Sequence, residues 1–189
     1  MEAASKGADQ AFWTWFAANA DKLPADKVAA VNQIQAQLDK DDPDVFAEVV
    51  FDPAGNTLVL TADGKKDRFP DVKRIAAAAP KIAKWSIVAF RQRDHELMPL
   101  TMNGRALDPK LVKFTSKPNG AQLDIRVFIP DYTDGDEALG NLAFLALDHA
   151  VGEYDVETKL GGITLESLAS APPDAAPLAQ LPAAVDALH

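Results

Sequence analysis

The run "LDHAVGEYDVET", residues 147–158, sets Asp148, His149, Glu153, Asp155 and Glu157 close together, directly after the apolar "LAFLAL". A histidine beside carboxylates is a minimal kit for acid–base work, in which the imidazole moves the proton and a carboxylate orients it. The same groups suggest a hydrolase-type site with His149 as base, with or without Mg2+ held by the acids. His149 and Glu153 are spaced i, i+4, on one helix face, which is workable ligand geometry. Gly152 weakens that alignment, because a glycine there is the expected helix stop and puts Glu153 in a new segment. A single histidine among carboxylates suits zinc poorly, and no calcium-loop spacing is present. The expectation is no metal and no cofactor.

His149 also has an ordinary account, as a last-turn residue facing free helix carbonyls. Asp148 is harder to place, since a carboxylate at the negative end of a helix dipole needs a compensating cation. In "FRQR", Arg91 and Arg93 point to one side of a strand and are the natural cations. Two readings follow. Either Asp148 forms a plain ion pair with an arginine of the Arg91 type, or Arg91 and Arg93 grip a small anionic ligand. In the second, Asp148 and His149 fix orientation, with Glu153 and Asp155 beside them. His95 in "RDHE" reads as a solvated turn residue.

"FWTWF" places Phe12, Trp13, Trp15 and Phe16 around nearly the whole circumference of one helix. One buried stripe cannot absorb all four, so the alternatives are a helix wedged between sheet and helix, or a partner or homodimer interface. Residues 65–93 hold nine Lys/Arg against Asp67 and Asp71, a net +7 in a chain of net −9. That segment is either a solvated face or a dock for an acidic partner. The overall acidity disfavours nucleic acid. No G-x-S-x-G, P-loop or G-x-G-x-x-G occurs, and there is no cysteine, so disulfides and thiolate chemistry are excluded. "MEAASKGADQ" has no basic-then-apolar leader, and no apolar run approaches the length that spans a bilayer. The expectation is a soluble cytoplasmic protein that does not insert in membranes.

The elements that must position these residues follow from hydrophobic period. Residues 8–40 read as two amphipathic helices, broken at "DKLPADK". Strands are expected at 45–51 and 57–64, then a helix ending near Pro80 and a strand at 86–93. Hairpin strands at 111–117 and 121–131, a helix through "DEALGNLAFLALDHAVG" and a strand at 163–168 repeat that order. Asn103-Gly104 marks a small hairpin, and an alternative reading of 154–166 turns a hairpin at Gly161-Gly162, which would make Tyr154–Thr158 a strand. These elements define an α+β fold. Its mostly antiparallel sheet is built from two strand-strand-helix-strand units, with two N-terminal helices packed on it. One domain is expected over 1–168, with 8–40 its helical part, and an Ala/Pro-rich tail over 169–189 ending in a short docked helix.

"FWTWF", "LTADG" before "FPDV", "AP…W…AFRQR" and "LDHAVGEYDVET" together resemble a family of uncharacterised bacterial cytoplasmic proteins of this length. The resemblance spans roughly residues 12–166. It implies a bacterial cytoplasmic protein and carries no activity and no catalytic residues. From the residues themselves, the leading expectation is a non-enzymatic binding protein for a small anionic ligand or a protein partner. The hydrolase reading and an oligomeric structural role are the alternatives.

Overall fold

The computed structural model describes residues 2–188; Met1 and His189 lie outside them. The chain forms two compact units, residues 1–91 and 92–189, each with its own core. Both combine helices with small, mostly antiparallel sheets, and the class is α+β.

In the first unit, helices α1 (Glu2–Asn19) and α2 (Lys27–Leu38) precede strands β1 (Phe46–Val50) and β2 (Asn56–Thr61). Helix α3 (Phe69–Ala77) then crosses to β3 (Trp85–Ala89), giving a sheet of order β1-β2-β3. β1 and β2 are antiparallel, whereas β2 and β3 are parallel. Asp26 starts α2 by accepting from the Ala29 N–H at 2.8 Å, and Pro70 sits in the first turn of α3, where its missing N–H costs nothing. Leu58 and Leu60 of β2 share a core with Phe16, Ile34, Leu38, Val72 and Ile75, so all three helices pack on this sheet. Gln35 stitches α2 to the edge strand. Its amide nitrogen donates to the Val45 carbonyl at 3.0 Å, and its oxygen accepts from the Ala47 N–H at 3.0 Å. The side chain thereby satisfies backbone groups that an edge strand otherwise exposes.

β3 ends earlier than periodicity predicts. Phe90 has φ +67, a left-handed conformation that a bulky residue adopts only when its surroundings enforce it. Its ring packs on Phe69 at 4.5 Å and its N–H reaches the Leu60 carbonyl at 2.7 Å, which is the enforcement.

The second unit opens with a hairpin of β4 (Leu100–Met102) and β5 (Arg105–Leu107), turned by Asn103 and Gly104 at φ +50 and +76. β6 (Lys113–Asn119) and β7 (Gln122–Ile129) form the longer hairpin. Helices α4 (Glu137–Val151) and α5 (Glu153–Lys159) then lead to β8 (Leu160–Ser167), parallel to β7. β9 (Ala176–Pro177) adds to the free side of β6, and α6 (Leu181–Asp186) follows, so the sheet order is β8-β7-β6-β9. Leu178, Leu181 and Val185 are buried with Phe114, Val127 and Leu147, so the Ala/Pro-rich end of the chain is part of this core. Tyr154–Thr158 lies within helix α5 and not in a strand. Gly161 and Gly162 stand inside β8 and do not turn a hairpin.

Among the described residues, no helix is long and apolar enough to cross a membrane.

Candidate functional site

Arg91 follows β3 in the first unit. Its Nε donates to Glu48 Oε1 at 2.8 Å and its Nη2 to Asp63 Oδ1 at 2.9 Å. The side chain is 12% exposed, so this fork ties β1 to the turn after β2 from a largely desolvated position.

The other five residues expected at the ligand site belong to the second unit, and they separate into different tasks. Arg93 donates from Nε to the Val151 carbonyl at 2.8 Å, from Nη2 to Asp155 at 2.8 Å and from Nη1 to Asp186 at 2.9 Å. One guanidinium therefore closes the last turn of α4, the first turn of α5 and the end of α6. Hydrogen bonding to Asp186 and Asp155 raises the Arg93 pKa against the opposing effect of burial, and Arg93 in turn lowers that of Asp186. Lys159 adds a second cation to Asp155 at 3.4 Å.

His149 does not face helix carbonyls. Its Nδ1 lies 2.5 Å from Asp94 Oδ2, and the Asp94 N–H donates back to the His149 carbonyl at 2.8 Å. An Nδ1–H donated to a carboxylate leaves Nε2 to accept a proton, which is how a general base is oriented. No hydroxyl is hydrogen-bonded to this ring among the described residues, so the pair has an orienting acid and a base but no nucleophile.

Asp148 and Glu153 point inward, 8% and 0% exposed. No buried side-chain polar atom among the described residues lacks a hydrogen-bond partner, so both carboxylates are accommodated by the fold. Gly152, at φ +88, ends α4 and begins α5, and it turns the chain between these two acids. The "LDHAVGEYDVET" run is thus a helix–helix corner, with Asp148 and Glu153 buried, His149 on Asp94 and Asp155 on Arg93.

In the aromatic helix, Phe12, Trp13 and Phe16 are core residues of the first unit, and Trp15 packs partly buried against it. The Trp13 indole N–H donates to the Ile75 carbonyl at 2.8 Å, fixing α1 to α3. His95 is exposed.

Three residues escaped the sequence reading. Asp94 and Asp186 are the partners of His149 and Arg93, and neither has a local signal beyond its charge. The third is Asp9, a helix residue only 4% exposed, which meets Arg74. Arg74 also reaches Asp42 at 2.6 Å and Asp71 at 3.2 Å, so one arginine serves three carboxylates. Burial pushes the Asp42 carboxyl above its ordinary value, with the Arg74 charge pulling the other way.

Two open grooves are large enough for a ligand group. In the first unit, a groove of about 450 Å³ runs between α1 and the segment after α3, lined by Gln10, Trp13, Thr14, Ala17, Ala78 and Pro80. In the second, a groove of about 260 Å³ is lined by Tyr132, Gly135, Asp136, Glu137, Gly140, Asn141 and Phe144. No cluster of three or more His, Asp or Glu side chains suited to a metal ion occurs among the described residues.

No protein-family model matches this chain, and neither does any curated protein or solved structure.

Proposed function

We propose that this chain is a non-enzymatic binding protein whose ligand is a protein partner and not a small anion. One observation carries the reading. The first unit's groove between α1 and Pro80 is lined mainly by Trp13, Ala17, Ala78 and Pro80, wide enough for an apolar side chain. Lys81, next in the chain to the lining residue Pro80, is exposed and forms no ion pair among the described residues. Apolar anchors seated in a groove supply affinity, and unpaired rim charges select the partner's sign. The occupant that fits is an acidic segment with an apolar anchor. Arg91 and Arg93 argue against a free anion as ligand, because each is already forked onto two carboxylates. A bacterial cytoplasmic setting belongs to the same reading and rests on the family resemblance.

The test is a titration of the full chain with short peptides that alternate leucine with glutamate or leucine with lysine, followed by tryptophan fluorescence. The glutamate peptide should bind and weaken with salt. Ala17→Glu and Lys81→Glu, both at exposed positions, should remove binding and leave the melting temperature unchanged. Equal binding of the lysine peptide, or indifference to both substitutions, overturns the proposal.

A second reading, hydrolysis with His149 as base, is favoured by the Asp94–His149 pair alone. It requires that His149→Ala abolish hydrolysis of a simple ester by the full chain, with or without Mg2+. Turnover at the rate of free imidazole, unchanged in that variant, eliminates it.

A further inference from the structure

The second unit's groove lies where β7 hands over to α4, beyond the carboxyl end of a strand paired in parallel with β8. Crossover units of this kind present their ligand-accessible loops at that end. Along α4 the lining residues Glu137, Gly140, Asn141 and Phe144 recur at i, i+3, i+4 and i+7, one continuous stripe. The opposite stripe, Leu139, Leu142, Ala143 and Ala146, is buried in the core. Tyr132 faces this stripe from the β7–α4 loop.

Three features of the stripe need explaining. Phe144 is 43% exposed, a large aromatic ring left open to solvent on the groove side of the helix. Gly140 stands in the second turn of a continuous helix, and a Cβ there would meet only Leu165 Cδ1, at an ordinary 3.7 Å. Packing would accept alanine, and a mid-helix glycine sacrifices about 1 kcal/mol relative to it. Its bare backbone forms part of the groove's lining. The third feature is charge. Asp136 is occupied, accepting from the Leu139 N–H at 3.0 Å as helix cap and from Arg105 at 2.6 Å. Glu137 lines the groove and forms no ion pair among the described residues, so the groove carries uncompensated negative charge.

We propose that this groove binds a primary alkylammonium group. Its chemistry is selective in each part. The Glu137 carboxylate and the Asn141 amide oxygen accept N–H donors, and the faces of Tyr132 and Phe144 attract a cation and cover its methylenes. An anion is repelled by the unpaired Glu137 carboxylate, and a neutral apolar group would leave Glu137 and Asn141 desolvated without partners. The volume, about 260 Å³, holds a short amine or the end of one lysine side chain. The site is independent of the groove proposed for the acidic partner.

The experiment is calorimetric titration of the full chain with 1,5-diaminopentane, with Nα-acetyl-lysine methylamide, and with 1-pentanol as the neutral analogue. Both amines should bind and the alcohol should not. The tighter of the two amines identifies the source, a free diamine or a lysine side chain on a partner. Glu137→Gln and Phe144→Ala should each weaken the amine about tenfold. Gly140→Ala gives the sharpest result, because the melting temperature should rise while amine affinity falls. Absence of amine binding overturns the proposal. So does equal binding of the alcohol, or unchanged affinity in Glu137→Gln and Gly140→Ala.

Discussion

Arg93 and Asp186 stand 93 positions apart in the chain and meet through two contacts, of 2.9 and 2.8 Å. Through the same guanidinium, Asp186 on α6 is joined to the Val151 carbonyl and to Asp155. The arginine that its strand context marks as an anion ligand is therefore a clamp on the C-terminal helix. Replacing Arg93 by alanine leaves three acceptors short of a donor at once. The expected loss is roughly 2 kcal/mol, within the range for charge-assisted hydrogen bonds, read as a lowered urea midpoint at constant slope. Arg93→Lys should recover only part of it, because one ammonium cannot fork across three acceptors. An unchanged midpoint in both variants would show that α6 is held by Leu181 and Val185 alone.

Asp186 also gives this clamp a pH dependence of definite sign. Hydrogen bonding to Arg93 holds the Asp186 carboxyl below the ordinary carboxylate range. A carboxyl depressed in the fold contributes stability that is complete above its unfolded value, near about pH 4, and lost as pH falls through the folded value. The protection factors of the α6 amides, exchange rates taken relative to the intrinsic rate at each pH, should therefore fall on acidification below that region. In Asp186→Asn the α6 amides should exchange faster at neutral pH, and this acid step should disappear. A step of the same size in the variant assigns it to another group.

What could be read from residues alone was whatever local chemistry decides. Asn103-Gly104 turns a hairpin because both φ values must be positive, and the residue types announce it. The α+β class followed from the change of hydrophobic period after residue 40. Gly161-Gly162 carries the same kind of signal and was misread, because its cause is remote. A Cβ on Gly161 would stand 2.5 Å from Asp124 Oδ1, the atom that also accepts the Gly162 N–H at 2.7 Å. The pair belongs to a strand with a register shift opposite Leu123–Ile125, and no local pattern reveals that. The same holds for the candidate site. Arg93, Asp148 and His149 are conspicuous by type, but their roles are set by Asp94, Asp186 and the burial of two helices, all of which arise only on folding.

The Gly161–Asp124 contact can be tested as a coupling. Gly161→Ala should lower the denaturant midpoint, because the carboxylate must leave the Gly162 N–H to make room. Asp124→Ala removes the obstruction and the hydrogen bond together, so the double variant should be no worse than Asp124→Ala alone. Strict additivity across the four proteins, measured by denaturant midpoints, would mean that the strain lies in the β8 backbone and not at Asp124.

Arg74 offers the largest single effect. Asp9 is 4% exposed and depends on it, and Asp42 and Asp71 share the same guanidinium. Removing the positive partner of a buried charge strands that charge, at a cost of about 3–5 kcal/mol. Arg74→Ala should therefore unfold at much lower denaturant than the parent, and Arg74→Lys should fall between. The pH response distinguishes electrostatics from lost packing. In the parent, burial already raises the Asp42 carboxyl against the pull of Arg74. Without Arg74, the folded state should bind a proton at Asp42 more tightly than the unfolded chain does, because burial acts unopposed. A carboxyl raised in the fold destabilises at neutral pH and is relieved as pH falls through the folded value toward the unfolded one. The deficit of Arg74→Ala relative to the parent should accordingly shrink between neutrality and about pH 5. A deficit that stays constant over that window would mean that Arg74 contributes through the packing of its stem and not by neutralising Asp9.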